Sequence, residues 1–146
     1  MNLRSTVAVC LIAFAISAPV IAQQTPTLYK RLGGYDAIAA VTDDFIGRLV
    51  GDAQLKVFFN GHSTDSLKKI RQLVVDQLCA ATGGPCVYIG RDMKTSHAGL
   101  GITEKDWDGS VKHLIATLDK FNVPAKEKDE VLTAVGGLKK DIVDKP

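Results

Sequence analysis

From Tyr35 onward, apolar residues recur at Ile38, Val41, Phe45 and Leu49, at spacings of three and four that put them on one face of a helix. Gly33-Gly34 before this run and Gly51-Asp52 after it supply breaks, and Asp36 near its start suits the helix dipole. The connection that follows carries Leu55, Val57, Phe58 and Phe59, a heavy load of large apolar groups for a loop, so it has to cover something. Asn60-Gly61-His62 then turns the chain. Ser63 or Thr64 is placed to cap a second long helix with the stripe Leu67, Ile70, Val74 and Leu78, which Gly83-Gly84-Pro85 ends.

Past Cys86 the pattern predicts a loop and then a brief helix through Met93, Lys94 and His97, stopped by Gly99 and Gly101. Thr103-Glu104-Lys105-Asp106 opens another helix, whose stripe of Trp107, Val111, Leu114, Ile115 and Leu118 is the clearest in the chain. Pro124 starts the last one. There Val131, Leu132, Val135, Leu138 and Ile142 face inward, and Lys126, Glu127, Lys128, Asp129, Lys139 and Lys140 form a solvated surface. No segment alternates with the period of a strand and no internal repeat is visible. The predicted class is all-α, with four substantial helices and some short ones.

The N-terminus departs from this pattern. Met1 to Arg4 carry one positive charge, Thr6 to Ile16 form an uncharged apolar stretch, and Val20-Ile21-Ala22-Gln23 offers the small side chains that a signal peptidase accepts. Residues 1–22 are therefore expected to be a signal peptide cut after Ala22, with 23–146 as one exported, periplasmic domain; an uncleaved anchor is the alternative, disfavoured because the apolar run is short for a span. Export removes Cys10 and leaves Cys79 and Cys86 in an oxidising compartment. They flank Thr82-Gly83-Gly84-Pro85, a turn able to bring their α-carbons within the ~7 Å that a disulfide needs. Either a bridge or two buried thiols fits.

Composition narrows the function. With 146 residues, 46% hydrophobic and 23% charged, the chain suits one compact domain with ample aliphatic material for a core. A net charge of +2, from 18 basic and 16 acidic residues spread along the sequence, leaves no footprint for nucleic acid and no basic membrane patch.

Three histidines remain as candidate ligands, and no zinc or covalent-haem motif surrounds them. His113 lies about 200° round its helix from Val111, opposite the stripe, and is expected to be a solvated surface group. His62 reads as a loop residue in a polar turn. His97 has Met93 four residues earlier on the same helical face, glycines just beyond it, and Arg91 and Lys94 nearby. An imidazole, a flat apolar contact and cations for carboxylates are what the proximal side of a haem requires; a structural histidine is the alternative.

The chain from Thr27 to about Val143 resembles the truncated, two-over-two haemoglobins, most closely group I. The motifs run in order: Leu28-Tyr29-Lys30-Arg31-Leu32-Gly33-Gly34, Asp44-Phe45, Phe58-Phe59, Gly83-Gly84-Pro85, then Tyr88 with Gly90-Arg91-Asp92-Met93-Lys94, His97 and Gly99. The resemblance implies a two-over-two helical sandwich enclosing a b-type haem, with His97 as the iron ligand and Phe59 packed on the porphyrin face. It places Tyr88, Met93 and Lys94 against the haem or its propionates, with Arg91 as a further propionate partner.

On the distal side the sequence departs from the family. Group I members commonly carry a tyrosine after the Asp-Phe pair, donating to the bound gas; here Ile46 stands there. Ile70 and Val74 fall on the haem-facing stripe where the family often has a polar side chain. A donor to a partly charged ligand is worth roughly 1.5–3 kcal/mol, so its loss implies faster oxygen release and earlier oxidation of the iron. Gln77 on that stripe, Arg71 or Gln72 at its edge, or His62 swinging from its loop are the substitutes available. The expected function is reversible binding of oxygen or nitric oxide by a monomer. The alternatives are a haem enzyme, such as a nitric oxide dioxygenase or peroxidase-like activity served by a reductase, and a cofactor-free helical binding module.

Overall fold

The computed structural model describes residues 25–144; the expected signal peptide and the cut after Ala22 lie outside them. The described chain is helical: α1 (Leu28–Arg31), α2 (Gly34–Gly51), a 3-10 turn (Leu55–Phe59), α3 (Thr64–Ala81), α4 (Met93–His97), α5 (Glu104–Lys120), α6 (Ala125–Gly136) and α7 (Lys139–Ile142). Local chemistry sets the boundaries. The Ser63 hydroxyl caps α3 by accepting from Ser66 N, and Thr103 with Asp106 forms a reciprocal capping box on α5.

α2 packs on both α3 and α5, α5 packs on α6, and α1 bridges α2 and α6. One core cluster, Ile38, Val75 and Cys79, joins α2 to α3 with Tyr29, Leu78 and Cys86 around it. The other, Leu114, Leu118 and Val131, joins α5 to α6 and receives Val41 and Phe45 from α2. Each such side chain contributes about 1.5–3 kcal/mol when fully buried. Buried hydroxyls are satisfied within this frame: Thr42 Oγ1 donates to Ile38 O at 2.8 Å and Thr117 Oγ1 to Asp44 Oδ2 at 2.9 Å.

The helix expected from Pro124 through Ile142 is broken. Gly136 and Gly137 stop α6, the Gly137 N–H closing on Thr133 O at 3.2 Å, and the chain restarts as α7, because two adjacent glycines gain no side-chain packing to offset their backbone entropy. Glu127 also differs from its expected solvated place: its side chain is 12% exposed and accepts from Arg31 Nη1 at 2.5 Å, since α1 lies across α6.

Cys79 and Cys86 are joined by a disulfide, with α-carbons 5.7 Å apart. Gly84 makes the return possible. A Cβ there would sit 2.5 Å from Tyr29 Cδ2, 2.7 Å from Cys79 Sγ and 2.8 Å from Cys79 O.

Candidate functional site

α4 is a five-residue helix held by its ends. The Asp92 carboxylate accepts from Thr95 N and Thr95 Oγ1, both at 2.8 Å, and these bonds keep it below the usual carboxylate range. At the other end Gly99 and Gly101 adopt φ of +79° and +70°, a left-handed conformation open to glycine without strain. The Gly101 N–H then donates to Asp144 Oδ2 at 2.8 Å, Asp144 N–H donates to Ile102 O at 3.0 Å, and α4 rests on α7. His97 is half-buried on this seat.

The His97 ring is oriented by its own helix. Nδ1 lies 2.8 Å from Met93 O. A carbonyl only accepts, so Nδ1 is the donor here and Nε2 is the ring nitrogen left for a ligand. Met93 thus contributes a backbone acceptor besides its half-buried side chain. Among the described residues no three of His, Cys, Asp and Glu gather to hold a metal ion.

The turn carrying Phe58 and Phe59 is fixed to α5 at two points. Asp52 Oδ1 accepts from Gln54 N at 2.7 Å and Leu55 N at 3.0 Å, while His113 Nε2 donates to Asp52 Oδ2 at 2.8 Å. The His113 bond, followed by the two backbone N–H groups, pulls the Asp52 carboxyl down to about 2. Gln54 Nε2 donates to Asp106 Oδ1, and Asp106 Oδ2 takes the Thr103 N–H and hydroxyl. Leu55 plugs the join at 4% exposure beside Gly109. His113 is accordingly not a solvated surface group: its side chain is 25% exposed, because the chain after α2 folds over the face that the helical wheel leaves open. Nothing in residue spacing announces a contact between positions 52 and 113.

Ile46 on α2, Phe59 in the turn, Ile70 and Val74 on α3, and Met93 on α4 are all half-buried and belong to neither core cluster. Val111 and Ile115, at one edge of the α5 stripe, are half-buried too. Tyr88 is half-buried with its hydroxyl donating to Arg91 O at 2.6 Å, while Arg91 and Lys94 are exposed. The edge residues Arg71 and Gln72 are engaged elsewhere. Arg71 bonds Asp43 through Nε (2.7 Å) and Nη2 (2.9 Å), and Gln72 Nε2 donates to Tyr35 Oη and Asp76 Oδ1, both at 2.9 Å, because both residues face outward along the α2–α3 seam. His62 stays exposed in its turn, and Gln77 is half-buried.

A helical sandwich of this kind, with one oriented histidine and apolar side chains outside the main core, is a globin-like arrangement. The model of the bacterial-like globin family matches residues 27–144, and the chain belongs to that family. It is 35% identical over 116 residues to a group 1 truncated hemoglobin of Mycolicibacterium paratuberculosis, covering 80% of this chain and 83% of the relative. A group 1 truncated hemoglobin of Nostoc commune is 34% identical over 119 residues, covering 82% and 98%. Among solved structures, the Fe(III) truncated hemoglobin of Tetrahymena pyriformis superposes with a TM-score of 0.74 at 28% identity, covering 81% of this chain and 98% of that one. The 2/2 hemoglobin of a Synechococcus species, in the cyanomet state with covalently attached heme, gives 0.74 at 29% identity, covering 82% and 99%. Haem is the cofactor of this family, and the donor set fits it: one imidazole whose Nδ1 is engaged by a carbonyl, leaving Nε2, and half-buried apolar side chains not used by the core.

Proposed function

We propose that the chain is an exported haem protein that binds a diatomic gas, oxygen or nitric oxide, reversibly at an iron held by His97. The haem and the binding of gas to it follow from family membership; the ligand residue, the gas and the export are this reading's own. The observation that carries it is the bond from His97 Nδ1–H to Met93 O, which leaves Nε2 for coordination.

When bound, the haem supplies an iron with a position open to a gas. The chain's residues do the rest. His97 would hold the iron from its α4 seat, and Phe59, Ile70, Val74 and Met93 would offer the haem apolar surface that excludes water. Tyr88 would add a half-buried aromatic ring, and Arg91 and Lys94 remain in solvent, where they would partner propionates. Ile46, Ile70 and Val74 donate no hydrogen bond, which favours release of the gas over its retention for dioxygenation. The Cys79–Cys86 bond supports an oxidising destination, in line with residues 1–22 as a signal peptide.

Reconstitution of the mature chain with haemin, followed by ferric, ferrous and carbon-monoxide absorption spectra, tests this. A strong Soret band that shifts with carbon monoxide is expected, and a colourless folded protein contradicts it. Mixing the oxygenated protein with nitric oxide separates the enzyme: rapid nitrate formation would overturn reversible binding as the main activity.

A further inference from the structure

The segment between α3 and α4 is attached to the helical frame in an unusual way. Among the described residues, no backbone N–H or carbonyl of residues 85–91 pairs with another backbone group. Its polar contacts are internal or run forward into α4: Tyr88 Oη and Ser96 Oγ both donate to Arg91 O, and the Tyr88 ring lies close over Gly90. Val87 and Ile89 are 75% and 83% exposed and make no core contact that would hold the segment. What fastens it to α3 is the disulfide. Cys79 is fully buried between Ile38 and Val75, and Cys86 packs on that cluster through its bond to Cys79.

We propose that the Cys79–Cys86 bond positions the Tyr88–Arg91 loop against the haem, so that the thiol redox state of this pair sets how firmly the chain retains haem. The inference rests on the haem reading above. A tethered loop is already ordered when haem arrives; an untethered one has to be ordered at the expense of affinity. Reduction by a dithiol proceeds by exchange: a thiolate of the reductant attacks the half-buried Cys86 Sγ, Cys79 leaves as a thiolate and is protonated, and the second thiol of the reductant closes its own disulfide, releasing Cys86 as a thiol. Two electrons and two protons pass to the cysteine pair. Oxidation by a disulfide donor reverses this. The chain would therefore hold haem weakly where dithiols prevail and firmly where they do not.

The test compares the full-length folded domain with its pair oxidised and with its pair reduced by a small dithiol, and adds Cys86→Ser, which keeps Cys79 in the core. Haem loss is followed by transfer to excess apomyoglobin, and tryptic cleavage after Arg91 is followed in the haem-free chain. Expected are haem loss about tenfold faster in the reduced chain and in Cys86→Ser, no further effect of dithiol on Cys86→Ser, and faster cleavage after Arg91 in both. Equal rates of haem loss in the oxidised and reduced chains would overturn the proposal, whatever the cleavage rates. A chain that takes up no haem in either state would instead overturn the haem reading on which it rests.

Discussion

His113 Nε2 donates to Asp52 Oδ2 at 2.8 Å across 61 residues of sequence, tying α5 to the turn that carries Phe59. Removing the imidazole leaves that turn held by the Gln54–Asp106 bond and by the burial of Leu55. His113→Ala is expected to lower the thermal midpoint of the haem-free domain by roughly 2–6 °C, and His113→Gln, which keeps a donor, to recover part of the loss. Differential scanning calorimetry of the three proteins checks this; equal midpoints would show that the bond is dispensable.

Acid should unfold the domain through its bonded carboxylates. Asp44 is held below the ordinary carboxylate range by Arg48 first and then Lys120, with Thr117 adding a further bond; Asp52 is held at about 2, and Asp106 is lowered by Thr103 and Gln54. A folded-state pKa below the unfolded one means that the unfolded chain takes up protons first. The contribution is then complete above about pH 5 and is lost as the pH falls through about 4 toward 2. Urea midpoints of the haem-free domain are expected to drop over that window. Asp44→Asn is expected to start lower at neutral pH and fall less steeply; a slope equal to the wild type would contradict the assignment.

Much of this was legible in the sequence, and the residues show why. The stripe Trp107, Leu114 and Leu118 and the Thr103–Asp106 box are local patterns, and α5 follows from them. Ser63 as a cap and Gly83-Gly84 as a stop are likewise decided within one turn of helix. The break at Gly136-Gly137 is hidden in the spacing because the apolar pattern runs on through Leu138 and Ile142, although two glycines remove the packing that would sustain the helix. The place of His113 is hidden for a different reason: a helical wheel describes one helix, and the covering face comes from the chain after α2. For His97 the spacing to Met93 indicated a shared face, but the acceptor turned out to be the Met93 carbonyl.

Gly84 allows no side chain. Since a Cβ would fall 2.7 Å from Cys79 Sγ and 2.8 Å from Cys79 O, the α3 end or the disulfide has to move. Gly84→Ala is expected to cost about 1–3 kcal/mol of folding free energy, measurable by urea unfolding of the oxidised domain. A loss within experimental error would mean that the turn after α3 is looser than its geometry implies.

On the proposed reading, Ile46 is the position at which the distal side can be rebuilt. A tyrosine placed there, at a half-buried position of α2, would on that reading offer a hydroxyl to the gas. Ile46→Tyr is expected to slow oxygen dissociation about ten- to hundredfold, the kinetic equivalent of ~1.5–3 kcal/mol, as read by stopped-flow. An unchanged rate would place Ile46 away from the gas.

The most direct measurement is ligand replacement at position 97. Haemin is added to the wild-type domain and to His97→Gly, and the ferric and ferrous carbon-monoxide spectra are recorded with and without free imidazole. The expected result is a strong Soret band in the wild type, its loss or displacement in His97→Gly, and its recovery when imidazole fills the vacated place. Haemin uptake by His97→Gly with the wild-type spectrum and no response to imidazole would contradict the assignment of His97 as the iron ligand.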